Sequence, residues 1–392
     1  MYASRKIGEI AKVKGGKRVP KGYKLSEIKT QHPYIRARDI RGGRIDTLDL
    51  VFITNETYSK IHQYTVREND VCITIAGNIG DVGIIPSGLD GANLTENAVK
   101  LIDLENCNHQ YLKYSLLSSN LQEQMKLHAA GAAQPKLGIY KVQALEIPFP
   151  PLPTQRKIAA ILSAYDDLIE NNTRRIQILE EIAQTIYREW FIRFRFPGYE
   201  TIRMIDSGTE FGEVPEGWEV SKLGDVIELV YGKGLRKDDR TGGNIPVYGS
   251  SGVVGYHNEA LVKSPGIIVG RKGNVGSVFW SNTDFYPIDT TYFVRTELSL
   301  HYVYYNLQHQ NFINNDAAVP GLSRNQAILL PIVVPSQEVM GRFEYINSLL
   351  FLQIRNLQQK NTNLRATRDL LLQKLVSGEV DVSELEIDVV VN

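Results

Sequence analysis

Mostly apolar positions in two stretches of the chain step by three and four without a break. The first runs Ile158, Ile161, Tyr165, Leu168, Asn172, Arg175, Leu179, Ile182 and Ile186. The second runs Met340, Phe343, Asn347, Leu350, Ile354, Leu357, Asn361, Leu364, Arg368, Leu371 and Leu375. Sustained 3,4 spacing predicts a coiled-coil seam, the alternative being two unrelated amphipathic helices of a bundle. Asn172, Asn347 and Asn361 on such a seam lower stability but restrict register. At 1.5 Å per residue each helix, of about 40 residues, spans roughly 60 Å. Both follow a proline, in Pro153-Thr154-Gln155 and Pro335-Ser336-Gln337. A hydroxyl just ahead of a helical pattern can accept from the free amides of the first turn, so Thr154 and Ser336 are expected N-caps.

The segments before each helix also echo one another. "KIGEIAKVKGGK" (6–17) returns as "KLGDVIELVYGK" (222–233), and "GNIGDVG" (77–83) as "GNVGSVF" (273–279). "YLKYSLL" (111–117) matches "YVYYNLQ" (302–308), and the loop at 129–137 matches the loop at 316–324. Four echoes in one order indicate a tandem duplication. The expected partition is a globular domain at 1–150, a long helix at 151–195 and a linker at 196–217. A second domain follows at 218–335, then a second long helix at 336–378 and an acidic tail at 379–392. Within each domain, "DVCITIAG" and "GIIVGRKG" read as β-branched strands ending at a Gly-Asn-x-Gly reversal, where glycine supplies positive φ. The helical spacing of 109–129 and 300–316 places a helix against each sheet. The fold class is mixed α/β, α+β in character.

Composition changes this picture little, but charge distribution does. The formal net charge is zero, yet residues 1–44 hold 13 Lys/Arg against three acids, and residues 231–280 hold seven against three. Two separate basic segments favour a polyanionic partner despite the neutral total, although solvated faces would look the same. Cys72 and Cys107 form no zinc pattern and no disulfide framework, and read as small core residues of a reducing compartment. No apolar run approaches the ~18 residues of a membrane span, and the start lacks an apolar signal core. A cytoplasmic location is expected.

Catalytic constellations are not found. "GKGLRKDD" lacks the spacing and hydroxyl of a phosphate loop, and "IPFPPLP" lacks the amide or carboxylate of an amino-methyltransferase motif. The seven histidines are scattered without metal-ligand spacing. Ser250 and Ser251 sit in a glycine-rich turn without Gly-x-Ser-x-Gly.

Two echoing domains, each leading through Pro-Thr/Ser-Gln into a long helix, resemble the specificity subunit of type I restriction–modification enzymes. The resemblance covers almost the whole chain. It is carried by "PPLPTQRKIAAIL", "PEGWEVSKLGDV" (215–226), "GRKGNVGSVFW" (270–280) and the "GAAQPKL" and "VPGLSR" loops. It implies two target-recognition domains separated by two long antiparallel coiled-coil helices in a pseudo-twofold repeat. Each domain would read one half of a bipartite, asymmetric site on double-stranded DNA. The helices would dock methylation subunits, expected as two copies, and through them the restriction subunits. It further implies no active site and no cofactor on this chain, with S-adenosylmethionine, ATP and magnesium on the partners. No base sequence carries over.

Expected phosphate contacts are Lys14, Lys17, Arg18 and Lys136 in the first domain and Lys233, Arg236, Lys237 and Arg324 in the second. Arg36, Arg38, Arg41, Arg271 and Lys272 are placed to reach base edges, arginine on guanine being the commonest direct contact. Two other classes stay open. A self-sufficient methyltransferase would bind S-adenosylmethionine alone, and a coiled-coil scaffold joining two protein-binding modules would tolerate charge reversal at Arg36, Arg38 and Arg41.

Overall fold

The computed structural model describes residues 2–130, 135–312 and 321–386. Parts of the echoed loops, at 131–134 and 313–320, therefore lie outside the described residues. The chain forms two compact units, 1–171 together with 361–392, and 172–360. Each long helix contributes one part to each unit: the first runs Leu152–Tyr187 and the second Gln337–Ser377.

The first unit is built on a four-stranded antiparallel sheet, in the order Lys12–Gly15, Ala98–Ile102, Val71–Thr74, Val82–Ile84. A smaller sheet pairs His32–Ile35 antiparallel with Val51–Ile53 and parallel with Asn93–Leu94. Ser4–Lys6 pairs with Glu146–Pro148. The second unit repeats this plan. Its large sheet runs Ile227–Tyr231, Thr291–Thr296, Gly266–Gly270, Val278–Ser281, all antiparallel. Its small sheet pairs Ile245–Gly249 antiparallel with Gly252–His257 and parallel with Tyr286–Pro287. Glu219–Lys222 pairs with Pro331–Val334. The echoes are thus copies of one blueprint.

Two glycines fix where the sheets of each unit meet. A Cβ on Gly16 would lie 2.2 Å from the Thr95 carbonyl oxygen, and one on Gly232 would lie 2.2 Å from that of Ile288. The Gly-Asn-x-Gly reversals join paired strands as expected, with φ of +78° and +94° at Gly77 and Gly80, and +83° and +74° at Gly273 and Gly276.

The helix expected over 109–129 is two helices, His109–Leu117 and Ser119–Ala129, broken at Ser118, whose backbone is extended. Asn108 caps the first by accepting the Tyr111 N–H at 2.9 Å. In the second unit Leu300–His309 is capped by Ser299, which accepts from Tyr302 at 3.1 Å. The residues at 196–217 carry their own short antiparallel pair, Met204–Asp206 with Glu213–Pro215.

Two expectations about the long helices need correction. Thr154 is not an N-cap, because the first helix begins at Leu152 and the Gln155 N–H already donates to the Pro151 carbonyl at 3.0 Å. Proline suits a first turn, where its missing N–H has no intrahelical partner, so the helix starts ahead of the hydroxyl. Ser336 does hold the position before the second helix, its carbonyl accepting the Met340 N–H at 3.0 Å. The seam of the first helix is also shifted along one edge. Leu168 and Ile182 are 53% and 43% exposed, and Arg175 is exposed. Leu162, Ile169 and Ala183 are buried in their place. The steps therefore alternate four and three, not three and four. The second helix keeps its predicted seam: Met340, Phe343, Asn347, Ile354, Leu357, Asn361 and Leu375 are buried, and the other four are half-buried.

Antiparallel packing is visible inside each unit. In the first, Ile158, Ala159 and Leu162 pack in one cluster with Leu372, Leu375 and Val376, and the Asn361 amide donates to the Ile169 carbonyl at 3.3 Å. In the second, Ala183, Tyr187 and Trp190 share a core with Met340 and Phe343.

Candidate nucleic-acid interface

In the first unit, the backbone between the small sheet and strand Ala98–Ile102 opens a cleft of about 370 Å³. Arg18, Tyr34, Arg36, Arg38, Glu96 and Asn97 line it. The fold thus brings together three of the basic residues singled out in the sequence, with unequal freedom. Arg36 is held by Asp39, with Nη2 2.8 Å from Oδ1 and Nε 3.0 Å from Oδ2. A further bond from the same Nη2 reaches the Asp49 carbonyl. Its fork is internally committed. Arg18 pairs with Glu96 at 2.6 Å while remaining 80% exposed. Arg38 is exposed, and among the described residues its ion-pair contact is a distant one, to Asp39 at 3.9 Å. Tyr34, buried beneath, donates its hydroxyl to the Lys17 carbonyl at 2.8 Å, and burial pushes its phenol up.

The other candidates of this unit do not line the cleft. Arg41 is ion-paired with Asp46. The Asp46 carboxyl is held below the ordinary range by the Leu48 N–H first and the Arg41 guanidinium second. Lys14 is exposed on its strand, opposite Lys100. The Lys17 ammonium lies 5.7 Å from the Tyr64 ring centroid. Lys136 is exposed and bridges to Ala76 beside the Gly-Asn-x-Gly turn.

The second unit gathers its charges around aromatic rings. Arg271 lies 5.1 Å from the Tyr231 ring centroid and 6.0 Å from that of Tyr292, and Arg324 lies 5.8 Å from Tyr231. Burial first, and the Tyr231 hydroxyl second, push the Tyr292 phenol up to about 12. Tyr292 is therefore neutral near pH 7. Lys272 is exposed next to Arg271 and bridges to Gly321. Lys233, Arg236 and Lys237 are exposed around the turn that follows Tyr231. None of these six basic residues makes an ion pair among the described residues, whereas Lys263 and Arg295 of the same unit pair with Asp284 and Glu228.

Asn78 and Asn274 are both exposed at the tips of their turns. Asn274 donates to Ser251 Oγ at 3.3 Å, which ties its turn to the one between strands Ile245–Gly249 and Gly252–His257. Sequence reasoning missed Glu96, Asn97, Tyr231 and Tyr292. For Tyr231 a signal existed: it stands where the first copy of the "KIGEIAKVKGGK" echo has Gly15. Among the described residues, no group of three or more His, Cys, Asp or Glu is placed to hold a metal ion, and no helix is long and apolar enough to cross a membrane. Burial pushes both cysteine thiols up, that of Cys107 to about 12.

Two units thus repeat one sheet plan, each with exposed basic side chains at its rim and each continued into a long helix. The family described as "Type I restriction modification DNA specificity domain" matches residues 2–181 and 215–340, and the chain belongs to that family. It is 26% identical to the type I restriction enzyme MjaIX specificity subunit of Methanocaldococcus jannaschii, over 94% of this chain and 96% of that one. It is 22% identical to the HindI specificity subunit of Haemophilus influenzae, over 69% of this chain and 77% of that one. Among solved structures, the S subunit of a type I restriction–modification system from M. genitalium aligns with a TM-score of 0.55. That match has 18% identity and covers 96% of each chain.

Proposed function

We propose that the chain reads a bipartite, asymmetric sequence on duplex DNA, one half with each unit, and is itself non-catalytic. The observation that carries this is a shared blueprint with unlike rims. One unit carries the Arg18/Arg38 cleft, and the other carries, at a different place on the same plan, the Tyr231/Arg271/Arg324 group. Lys14, Lys17, Arg18, Lys136, Lys233, Arg236, Lys237 and Arg324 supply phosphate contacts, and Arg38, Arg41, Arg271 and Lys272 approach bases. The paired helices set the spacing of the half-sites.

The helices also dock methylation subunits, two per chain, and restriction subunits join through these. Exposed apolar side chains on the helices support the docking: Ile178 and Ile182 one turn apart on the first, and Tyr345, Leu349 and Leu352 on one face of the second. S-adenosylmethionine, ATP and magnesium belong to those partners, and the assembly works in the cytoplasm.

The test is a competition assay at moderate salt on the chain assembled with its methylation subunits. Tight, salt-dependent binding to one bipartite sequence is expected, and methylation mapping of the host genome should give the same sequence. No sequence preference would refute the proposal. Binding of S-adenosylmethionine by the chain alone would favour a self-sufficient enzyme.

A further inference from the structure

We infer that Arg271 reads a guanine edge in the half of the target read by the second unit, with Tyr231 and Tyr292 as its positioning residues. This rests on the DNA-reading function proposed above.

Arg271 follows the strand Gly266–Gly270 and is anchored through its backbone on both sides. Its N–H donates to the Thr290 carbonyl at 2.9 Å, and its carbonyl accepts the Leu322 N–H at 2.8 Å. The guanidinium sits over Tyr231 and Tyr292, whose ring centroids are 5.0 Å apart. Its Nε is buried and has no hydrogen-bond partner among the described residues. A buried donor without a partner and a guanidinium without a counter-charge are both unfavourable. Nothing in the sheet requires either.

The first unit demonstrates that. Its Ile75 makes the matching bonds, donating to the Asn97 carbonyl at 2.8 Å, while its own carbonyl accepts the Leu137 N–H at 2.9 Å. Ile75 therefore holds the position of Arg271, and Gly15 and Ile139 hold those of Tyr231 and Arg324. The same backbone thus carries isoleucine, glycine and isoleucine in one unit, and arginine, tyrosine and arginine in the other. In the first unit Arg18, Arg36 and Arg41 face Glu96, Asp39 and Asp46. Arg271 lies over aromatic rings and has no ion pair among the described residues.

Those rings favour a base over a phosphate. A phosphate accepts from any mobile cation, and Lys233, Arg236 and Lys237, exposed around the turn that follows Tyr231, already offer three. A guanidinium packed over two rings is held in place, which suits a ligand whose two acceptors are fixed side by side in one rigid plane, whereas phosphate oxygens can be met from many directions. The O6 and N7 of guanine are such a pair.

The test uses the full chain assembled with its methylation subunits and a duplex library randomised at each target position, at two salt concentrations. Arg271→Ala should lower discrimination at a single G·C pair about tenfold or more, in one half-site only. Arg271→Lys should keep overall affinity and thermal stability but not that discrimination, so it carries the test if the alanine variant folds poorly. Tyr231→Leu should weaken the preference at the same pair. Uniform weakening across all sequences, with the salt slope reduced by about one, would identify a phosphate contact and overturn the inference. Unchanged selectivity, or a change in the other half-site, would overturn it too. A wild-type assembly without any sequence preference would instead remove the function on which the inference rests.

Discussion

Arg368 Nη1 lies 2.6 Å from Asp166 Oδ1, tying the second long helix to the first within the first unit. The other carboxylate oxygen accepts the Tyr114 hydroxyl at 2.6 Å and lies 3.4 Å from Lys113 Nζ. One carboxylate therefore joins both long helices to helix His109–Leu117 of the globular part. Burial alone would raise the Asp166 carboxyl, but the Tyr114 hydroxyl, Arg368 and Lys113 hold it below the ordinary aspartate range.

Removing that carboxylate leaves two largely desolvated cations facing each other. Asp166→Ala is expected to destabilise the chain by about 3 kcal/mol. In a double-mutant cycle with Arg368→Ala, urea unfolding should return a coupling of about 1–2 kcal/mol. A coupling indistinguishable from zero would mean that the helices are held by their apolar seam alone.

In the second unit a carboxylate one turn away in the repeat joins the second long helix to helix Leu300–His309. Glu344 of the second long helix accepts from His301 Nδ1 at 2.9 Å and from Ser348 Oγ at 3.0 Å, and also from Ser299. Burial pushes its carboxyl up, but these donors overcome that and hold it at about 2, against an ordinary 4.5. A depressed carboxyl stabilises fully above its unfolded value and loses that contribution as pH falls through its folded value. The loss should run from pH 4.5 towards about 2. Because the side chain is 39% exposed, solvent screening limits the contribution to about 1 kcal/mol. Melting temperatures across this window should fall less steeply for Glu344→Gln than for the wild type.

The duplication, the mixed α/β class and the long helices were legible because each rests on a local pattern. Strand reversals need glycine at Gly77, Gly80, Gly273 and Gly276, and seams need a 3,4 repeat. What stayed hidden depended on long-range choices. Along the first long helix both flanks of the seam are apolar at Ile161/Leu162 and Leu168/Ile169, so periodicity could not select one. The pairing of Arg18 with Glu96, 78 residues away, depends on the fold, whereas Arg36 with Asp39 and Arg41 with Asp46 are local pairs that the sequence offered and the charge count passed over. Sequence counts of basic residues therefore overstated the free charge of the first unit and missed the aromatic support of Arg271.

Arg36 and Arg38 look interchangeable in "YIRARDIRGG" and should behave oppositely. Arg36 is bonded twice to the buried Asp39, so Arg36→Glu would set two carboxylates against each other and cost about 3 kcal/mol of stability. Arg38→Glu, at a side chain 68% exposed, should leave stability within about 0.5 kcal/mol. It should nevertheless weaken DNA binding by the assembled complex and lower its salt slope. Circular-dichroism melting with fluorescence anisotropy on the same two proteins distinguishes them. A scaffold that binds no DNA would show the stability difference without the affinity difference.

The seam itself can be tested at two adjacent positions. Ile169 is 7% exposed and lies against the second helix, where its carbonyl accepts the Asn361 amide, while Leu168 is 53% exposed. Ile169→Ala should cost about 2–3 kcal/mol, from lost burial and the cavity left behind. Leu168→Ala should change stability by no more than about 0.5 kcal/mol. If apolar spacing in steps of three and four from Ile158 governed the packing, the order would be reversed, because that register puts Leu168 inside and Ile169 outside. Chemical unfolding of the two single variants therefore decides between two helix rotations. Leu168→Lys extends the test to partners. A lysine there should leave the isolated chain folded and, if that face docks a methylation subunit, reduce recovery of the assembled complex by size-exclusion chromatography.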